Sequence, residues 1–196
     1  VSGNTASPGS TWLKVRSADS SVGGSARFRW SHLLQYSTHV LNVTNEMRAD
    51  YTAELHMENA SGDITFGRLK VDDGGTYYAP SGNTILDNGD PVFYGNGNYI
   101  DTYSGTMLVT QGGNYGFRVH NAGANIWNLI YNPTSSSIMT YEDGTAGPNC
   151  SGSITIGVSG TLVNNATGNP PIRADDTLTI SGTLNWSGSS INPGRP

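Results

Sequence analysis

Apolar and polar residues alternate in short bursts from one end of the chain to the other, and most bursts end at Gly, Asn, Ser or Asp. A period of two puts successive side chains on opposite faces of a strand. The pattern predicts strands at 11–16, 26–30, 39–44, 51–57, 64–71, 106–110, 115–120, 126–131, 138–141, 154–158 and 177–186, each rich in β-branched or aromatic residues. Between them lie Gly23-Gly24, Asp73-Gly74-Gly75, Asn88-Gly89, Asn96-Gly97, Gly112-Gly113 and Asp143-Gly144, which supply the positive φ that tight hairpins require. Strands this short and this frequent predict a meander, a sandwich or a β-prism.

One segment competes for helix. Across 45–58, Asn45 is a possible cap, and Met47, Tyr51 and Leu55 recur every four residues. A helix, however, would set Glu54 and Glu58 in a repulsive i,i+4 pair, whereas a strand points Ala53, Leu55 and Met57 one way and Glu54, His56 and Glu58 the other. Strand is the better reading. A short echo, Ser-Gly-Thr followed by Met or Leu, occurs at Ser104, Ser159 and Ser181, and the last two copies follow similar Ile-Thr-Ile and Leu-Thr-Ile segments. As a structural repeat it would pair strands near the C-terminus.

Composition narrows the class. The 196 residues suffice for one large domain or two small ones. Hydrophobic residues are 35% and charged residues 13%, against about 25% charged in ordinary globular chains, which argues against both a helical bundle and a charged disordered tail. With 10 basic and 15 acidic residues the net charge is −5, so no basic field marks a nucleic-acid partner, and no apolar run is long enough to span a bilayer as a helix. Residues 1–10 read as a linker, and the missing initiator Met suggests a processed product or a piece of something longer. Residues 11–144 read as the main β-rich head. A soft boundary at the Gly/Pro-interrupted stretch after 144 leaves 145–196 as a tip or extension, with Trp186 its only aromatic residue. So short and apolar-poor a tail would need help from neighbouring chains.

Several residue groups could carry chemistry. Glu54, His56 and Glu58 would share one strand face within reach of a metal, although structural sites usually want four ligands. Asp87-Asn88-Gly89-Asp90 and Asp72-Asp73-Gly74-Gly75 have the oxygen-rich look of Ca²⁺ loops without the EF-hand spacing, and turn chemistry accounts for both. Acidic pairs such as Glu54 with Asp63, or Glu142 with Asp143, could flank a glycosidic bond. No nucleophile elbow, His-Glu-x-x-His or phosphate-binding Gly loop is present, so enzyme activity is not expected. The lone Cys150 can form no internal disulfide and reads as a free thiol. Sequons at Asn42, Asn59, Asn149, Asn165 and Asn185 are what an Asn/Ser/Thr-rich chain produces by chance.

The aromatic inventory is more informative. Tyr77, Tyr78, Phe93, Tyr94, Tyr99 and Tyr103 crowd a Gly/Asn/Asp-rich stretch, while Trp127 and Tyr131 flank Asn128. Aromatic faces pack on sugar C–H faces, and Asn and Asp supply hydroxyl partners. The expected glycan contacts are Tyr77, Tyr78, Tyr94, Asn96, Asn98, Tyr99 and Asp101.

The segments Gly62-Asp-Ile-Thr-Phe-Gly-Arg-Leu-Lys-Val-Asp-Asp-Gly-Gly75 and Gly113-Asn-Tyr-Gly-Phe-Arg-Val-His-Asn-Ala-Gly123, with the overall Gly/Ser/Thr/Asn-rich, disulfide-free style, resemble the C-terminal receptor-binding region of bacteriophage tail fibres and tailspikes. The resemblance implies an extracellular protein of the virion tail: an intertwined homotrimer that binds bacterial surface glycan without cleaving it. The alternatives are a monomeric bacterial adhesin tip or carbohydrate-binding module, and a glycan depolymerase fragment. Neither a His-x-His metal-threading motif nor the regular strand repeat of β-helical tailspikes is evident. The expected fold is therefore all-β, a globular sandwich- or prism-like head rather than a solenoid, with no resident cofactor beyond a possible Ca²⁺.

Overall fold

The computed structural model describes residues 12–15, 20–29, 32–35, 41–58, 62–89, 91–93, 97–101, 104–119, 124–142, 149–165, 172–186 and 191–193. Every ordered element among them is a β-strand, so the all-β expectation holds. The arrangement does not follow the sandwich or prism expectation. Every strand pairing among the described residues is parallel, and a parallel pair cannot be joined by a hairpin. The chain instead winds as a β-solenoid, laying one coil on the next.

Each coil contributes to three strand ladders. The first sheet stacks Trp12–Val15, His32–Gln35, Glu54–His56, Thr76–Tyr78, Asn98–Ile100 and Ala124–Asn125. It is continued through a bridge between Ile126 and Cys150 to Asn149–Cys150, Ile172–Ala174 and Ile191–Pro193. The second and third ladders share the long strands Leu41–Asp50 and Ile64–Val71, whose leading halves join one ladder and trailing halves the other. Later coils split this pass in two, with Asn83–Leu86, Thr106–Val109, Asn128–Tyr131, Ile154–Ile156 and Leu178–Ile180 in the second sheet. Pro91–Phe93, Asn114–Val119, Ser137–Glu142, Gly160–Asn164 and Thr183–Asn185 form the third.

The predicted alternation survives with a different partner. Leu33 pairs with Leu55, Leu55 with Tyr77 and Tyr77 with Tyr99, each 22 positions on, and all four point inward and are buried. A second column runs Val43, Phe66, Leu86, Val109, Tyr131 and Ile156, and a third Ile64, Thr84, Met107, Leu129 and Ile154. Fully burying each such side chain stabilises by about 1.5–3 kcal/mol, and stacking like over like repeats the contact at every coil. Among the described residues these columns are filled by the chain's own coils. The ladders also cross the soft boundary after 144 without interruption, from Leu129 to Ile154 and from Met139 to Leu162.

The turn residues keep their chemistry and change their task. Asp73 and Gly74 adopt φ of 49° and 87°, but they bend the chain from the third sheet into the first instead of reversing it. The segment 45–58 is strand as far as Asp50 and turns a corner at Tyr51. At the Ser137 corner the polar atoms are joined to one another. The Tyr131 hydroxyl donates to Ser137 Oγ at 2.6 Å, and Ser137 Oγ in turn donates to the Gly113 carbonyl and accepts from the Gly113 N–H at 3.1 Å.

The Ser-Gly-Thr-Leu echo is a true repeat for its last two copies. They lie in register on neighbouring strands, Thr161 beside Thr183 and Leu162 beside Leu184, while Ile154–Ile156 lies beside Leu178–Ile180. A Cβ on Gly182 would sit 2.2 Å from the carbonyl oxygens of both Gly157 and Gly160, so the stacked corner has room only for glycine. The Ser104 copy belongs to the second sheet and is not part of the repeat.

Candidate functional site

Ala53, Leu55 and Met57 are fully buried, which turns Glu54, His56 and Glu58 together onto the outer face of the first sheet, as the alternation predicted. They bind one another. His56 Nε2 lies 3.0 Å from Glu54 Oε2, and Nδ1 lies 2.7 Å from Glu58 Oε1. Burial pulls the imidazole pKa down, but hydrogen bonds and charge from the two carboxylates outweigh it and the net shift is upward. With a carboxylate on each ring nitrogen, the imidazolium is the favoured form. A metal would need one of those nitrogens as a lone-pair donor and would have to displace the proton it shares with its carboxylate; in this structure the three side chains bond to one another.

The neighbouring coil extends this face. Tyr78 stacks on His56 with ring centroids 4.3 Å apart and 11° between the planes. Burial, and then the negative charge of Glu54 and Glu58, raises the Tyr78 hydroxyl pKa and keeps it protonated. In register, Glu54 stands beside Thr76 and Thr76 beside Asn98, while His56 stands beside Tyr78 and Tyr78 beside Ile100. The result is a rigid surface on which carboxylates, a phenol, an amide and a hydroxyl repeat at the spacing of adjacent strands, about 4.8 Å. Such a surface can hydrogen-bond a polyol at several points and stack against its C–H edges.

The other expected contacts fare differently. Tyr77 and Tyr99 are fully buried, 5.3 Å apart in the interior column, and the Tyr77 hydroxyl is within 2.9 Å of Thr84 Oγ1. Asp101 is 2% exposed and accepts a hydrogen bond from the Gly105 N–H at 3.1 Å. These three are core and corner residues, and among the described members of the expected set Tyr78 and Asn98 face outward. Tyr94, Asn96 and Asp90 lie outside the described residues, as do Tyr103 and Asp143. Asp87 is exposed beside an open groove of about 500 Å³ lined by Asn42, Thr44, Thr65 and Asn88.

The acid pair Glu54 and Asp63 is not assembled. Asp63 sits where the second sheet begins, accepting from the Asn83 N–H at 3.1 Å and from Asn83 Nδ2 at 2.7 Å, whereas Glu54 is on the first sheet. Cys150 is buried, and burial, followed by the charge of Asp175, pushes its thiol up to about 12. A thiol so held is not a nucleophile.

The sequence reading missed one assembly. Arg27, Arg29 and Arg48 converge on the buried Asp50, and Arg48 and Lys70 on Asp72. Its only linear signal is a faint one: Arg27-x-Arg29, Arg48-x-Asp50 and Lys70-x-Asp72 recur 21 to 22 positions apart.

No protein-family model, no curated protein and no solved structure matches this chain.

Proposed function

We propose that this chain is a recognition module that binds bacterial surface glycan without cleaving it, as the receptor-binding part of a bacteriophage tail fibre would. The observation that carries the reading is the outer face of the first sheet, where Glu54, His56, Glu58, Thr76, Tyr78 and Asn98 stand on a rigid scaffold at regular spacing. A flat array of this kind suits a repeating polymer better than a small molecule, which calls for a concave, largely apolar pocket. Weak contacts repeated along a polysaccharide add through multivalency.

A bacterial adhesin or appended carbohydrate-binding module is the second reading. It is favoured by one observation: the interior columns close within a single chain. The test has two arms. Binding to intact host cells should fall in Tyr78→Ala/Asn98→Ala with the fold unchanged by circular dichroism, and unchanged binding removes the first-sheet assignment. Light scattering separates the two readings, since a mass of three chains supports the fibre and a mass of one supports the adhesin.

A further inference from the structure

The third sheet presents the opposite charge. Register sets Arg27 beside Arg48 and Arg48 beside Lys70, and Arg29 beside Asp50, all on the outer side of strands whose inner residues Met47, Ala49, Leu69 and Val71 are buried. The Asp50 side chain, 1% exposed, accepts hydrogen bonds from Arg27 Nε and Arg48 Nε, and from Arg29 Nε at 3.3 Å. Arg48 Nη2 reaches Asp72 Oδ2 at 3.0 Å, and Lys70 Nζ lies 3.3 Å from the same oxygen. Arg68 faces Glu46 at 3.5 Å. Around Asp50 itself, three guanidinium groups meet one buried carboxylate, with Lys70 and Asp72 alongside and exposed Asp73 in the following turn. Half of the chain's 10 basic residues gather here although the net charge is −5.

The donors are aimed. Arg27 and Arg29 engage Asp50 through Nε, which leaves their terminal amino groups on side chains that are 41% and 45% exposed. The guanidinium of Arg29 lies over the ring of Tyr51, 5.8 Å from its centroid, and Tyr51 is 36% exposed. Tyr51 also holds a φ of 58°, a left-handed corner position where Gly or Asn would be less strained. A buried carboxylate that fixes two arginine forks beside a strained, exposed aromatic ring is preorganised for a planar anionic group flanked by a sugar face.

We propose that Arg27, Arg29 and Tyr51 form a subsite for the carboxylate, phosphate or sulfate group of an acidic polysaccharide. This rests on the glycan-binding reading and names the charge class of the ligand, on a different sheet from the Tyr78 face. A nucleic acid is the less favoured polyanion, because a compact cluster of arginines about one carboxylate does not track a phosphate backbone.

The test is titration of the purified chain with polygalacturonate and its methyl ester, and with dextran sulfate and dextran, alongside a single-stranded oligonucleotide. At least one acidic polymer should bind at least about tenfold more tightly than its neutral counterpart, the factor expected for one charge-assisted hydrogen bond. That binding should weaken in about 0.5 M salt. Arg27→Gln/Arg29→Gln leaves Arg48 on Asp50 and should remove the preference. Tyr51→Asn suits the corner, leaves the ion pairs in place and should lower affinity with the melting temperature kept. Equal binding of charged and neutral polymers, affinity unchanged in both variants, or tighter binding of the oligonucleotide would each overturn the subsite. If acidic polymers bind but host cells are held equally well by Tyr78→Ala/Asn98→Ala, the first-sheet reading fails while this one stands. Cell binding lost in that variant, without any charge preference, gives the reverse.

Discussion

The imidazole of His56 is held between two carboxylates, Glu54 on Nε2 and Glu58 on Nδ1, while the ring of Tyr78 stacks on it at 4.3 Å. Each contact favours the cation: the carboxylates by charge, the phenol ring by its quadrupole. This relationship joins two consecutive coils, so its protonation state bears on stability.

Because the His56 pKa is higher folded than unfolded, its contribution is fully present below the unfolded value of about 6.5 and is lost as pH rises through the raised folded value. The melting temperature should therefore decline from about pH 6 upward across that window. His56→Gln should flatten the slope there. Thermal melts of both proteins between about pH 5 and 9 check this, and parallel slopes would sink it.

Asp50 behaves in the opposite sense. Burial alone would raise its pKa, but hydrogen bonds from Arg48 and Arg27 and their charges outweigh burial and hold the carboxyl below its usual range. Its contribution is present above an unfolded pKa of about 3.9 and is lost as pH falls through the depressed folded value. Asp50→Asn leaves three guanidinium groups facing one another. The expected loss is about 2 kcal/mol, less than the roughly 3–5 kcal/mol for a fully buried pair because Arg27 and Arg29 are well solvated. Urea denaturation at neutral pH measures it.

Adjacent tyrosines should give contrasting variants. Tyr77 is buried and its hydroxyl meets Thr84 Oγ1, so Tyr77→Ala should destabilise by about 3–5 kcal/mol and lose binding only through loss of fold. Tyr78→Ala should keep the melting temperature within a few degrees and lose binding directly. Denaturation and cell-binding assays on the pair separate the two roles.

Solenoid stacking makes damage local or general according to where it falls. A Cβ at Gly182 collides with Gly157 and Gly160 near the last coil, and one at Gly67 would lie 2.2 Å from the Thr44 carbonyl oxygen within the long central strands. Gly182→Ala should lose amide-exchange protection only around Leu178–Asn185. Gly67→Ala should lower the midpoint of the whole protein, by about 2–3 kcal/mol or more. Hydrogen exchange read by mass spectrometry distinguishes local from general loss.

How far the sequence reached can be judged residue by residue. The strand at Ile64–Val71 was legible to its ends, as was the common face of Glu54, His56 and Glu58, because inward-outward alternation is a local property of any strand. Short strands such as Thr76–Tyr78 and Asn98–Ile100 were not, since three residues carry too little periodicity to read. The predicted turns were correctly placed at Asp73-Gly74, yet a Gly-rich turn that bends by a corner has the same residues as one that reverses.

What the sequence determined by itself was an all-β chain with alternating polar and apolar faces, glycine turns and a Ser-Gly-Thr-Leu unit that pairs with its copy near the C-terminus. The tertiary structure alone decided that strands pair in parallel with the next coil about 22 positions on, that Tyr77 and Tyr99 turn in while Tyr78 turns out, and that the distant Arg27 and Arg29 join Arg48 at Asp50. The reason is register. Moving a strand by one residue exchanges its faces, and nothing local chooses between Tyr77 and Tyr78 until the Leu33 and Leu55 column selects the one stacked beneath it.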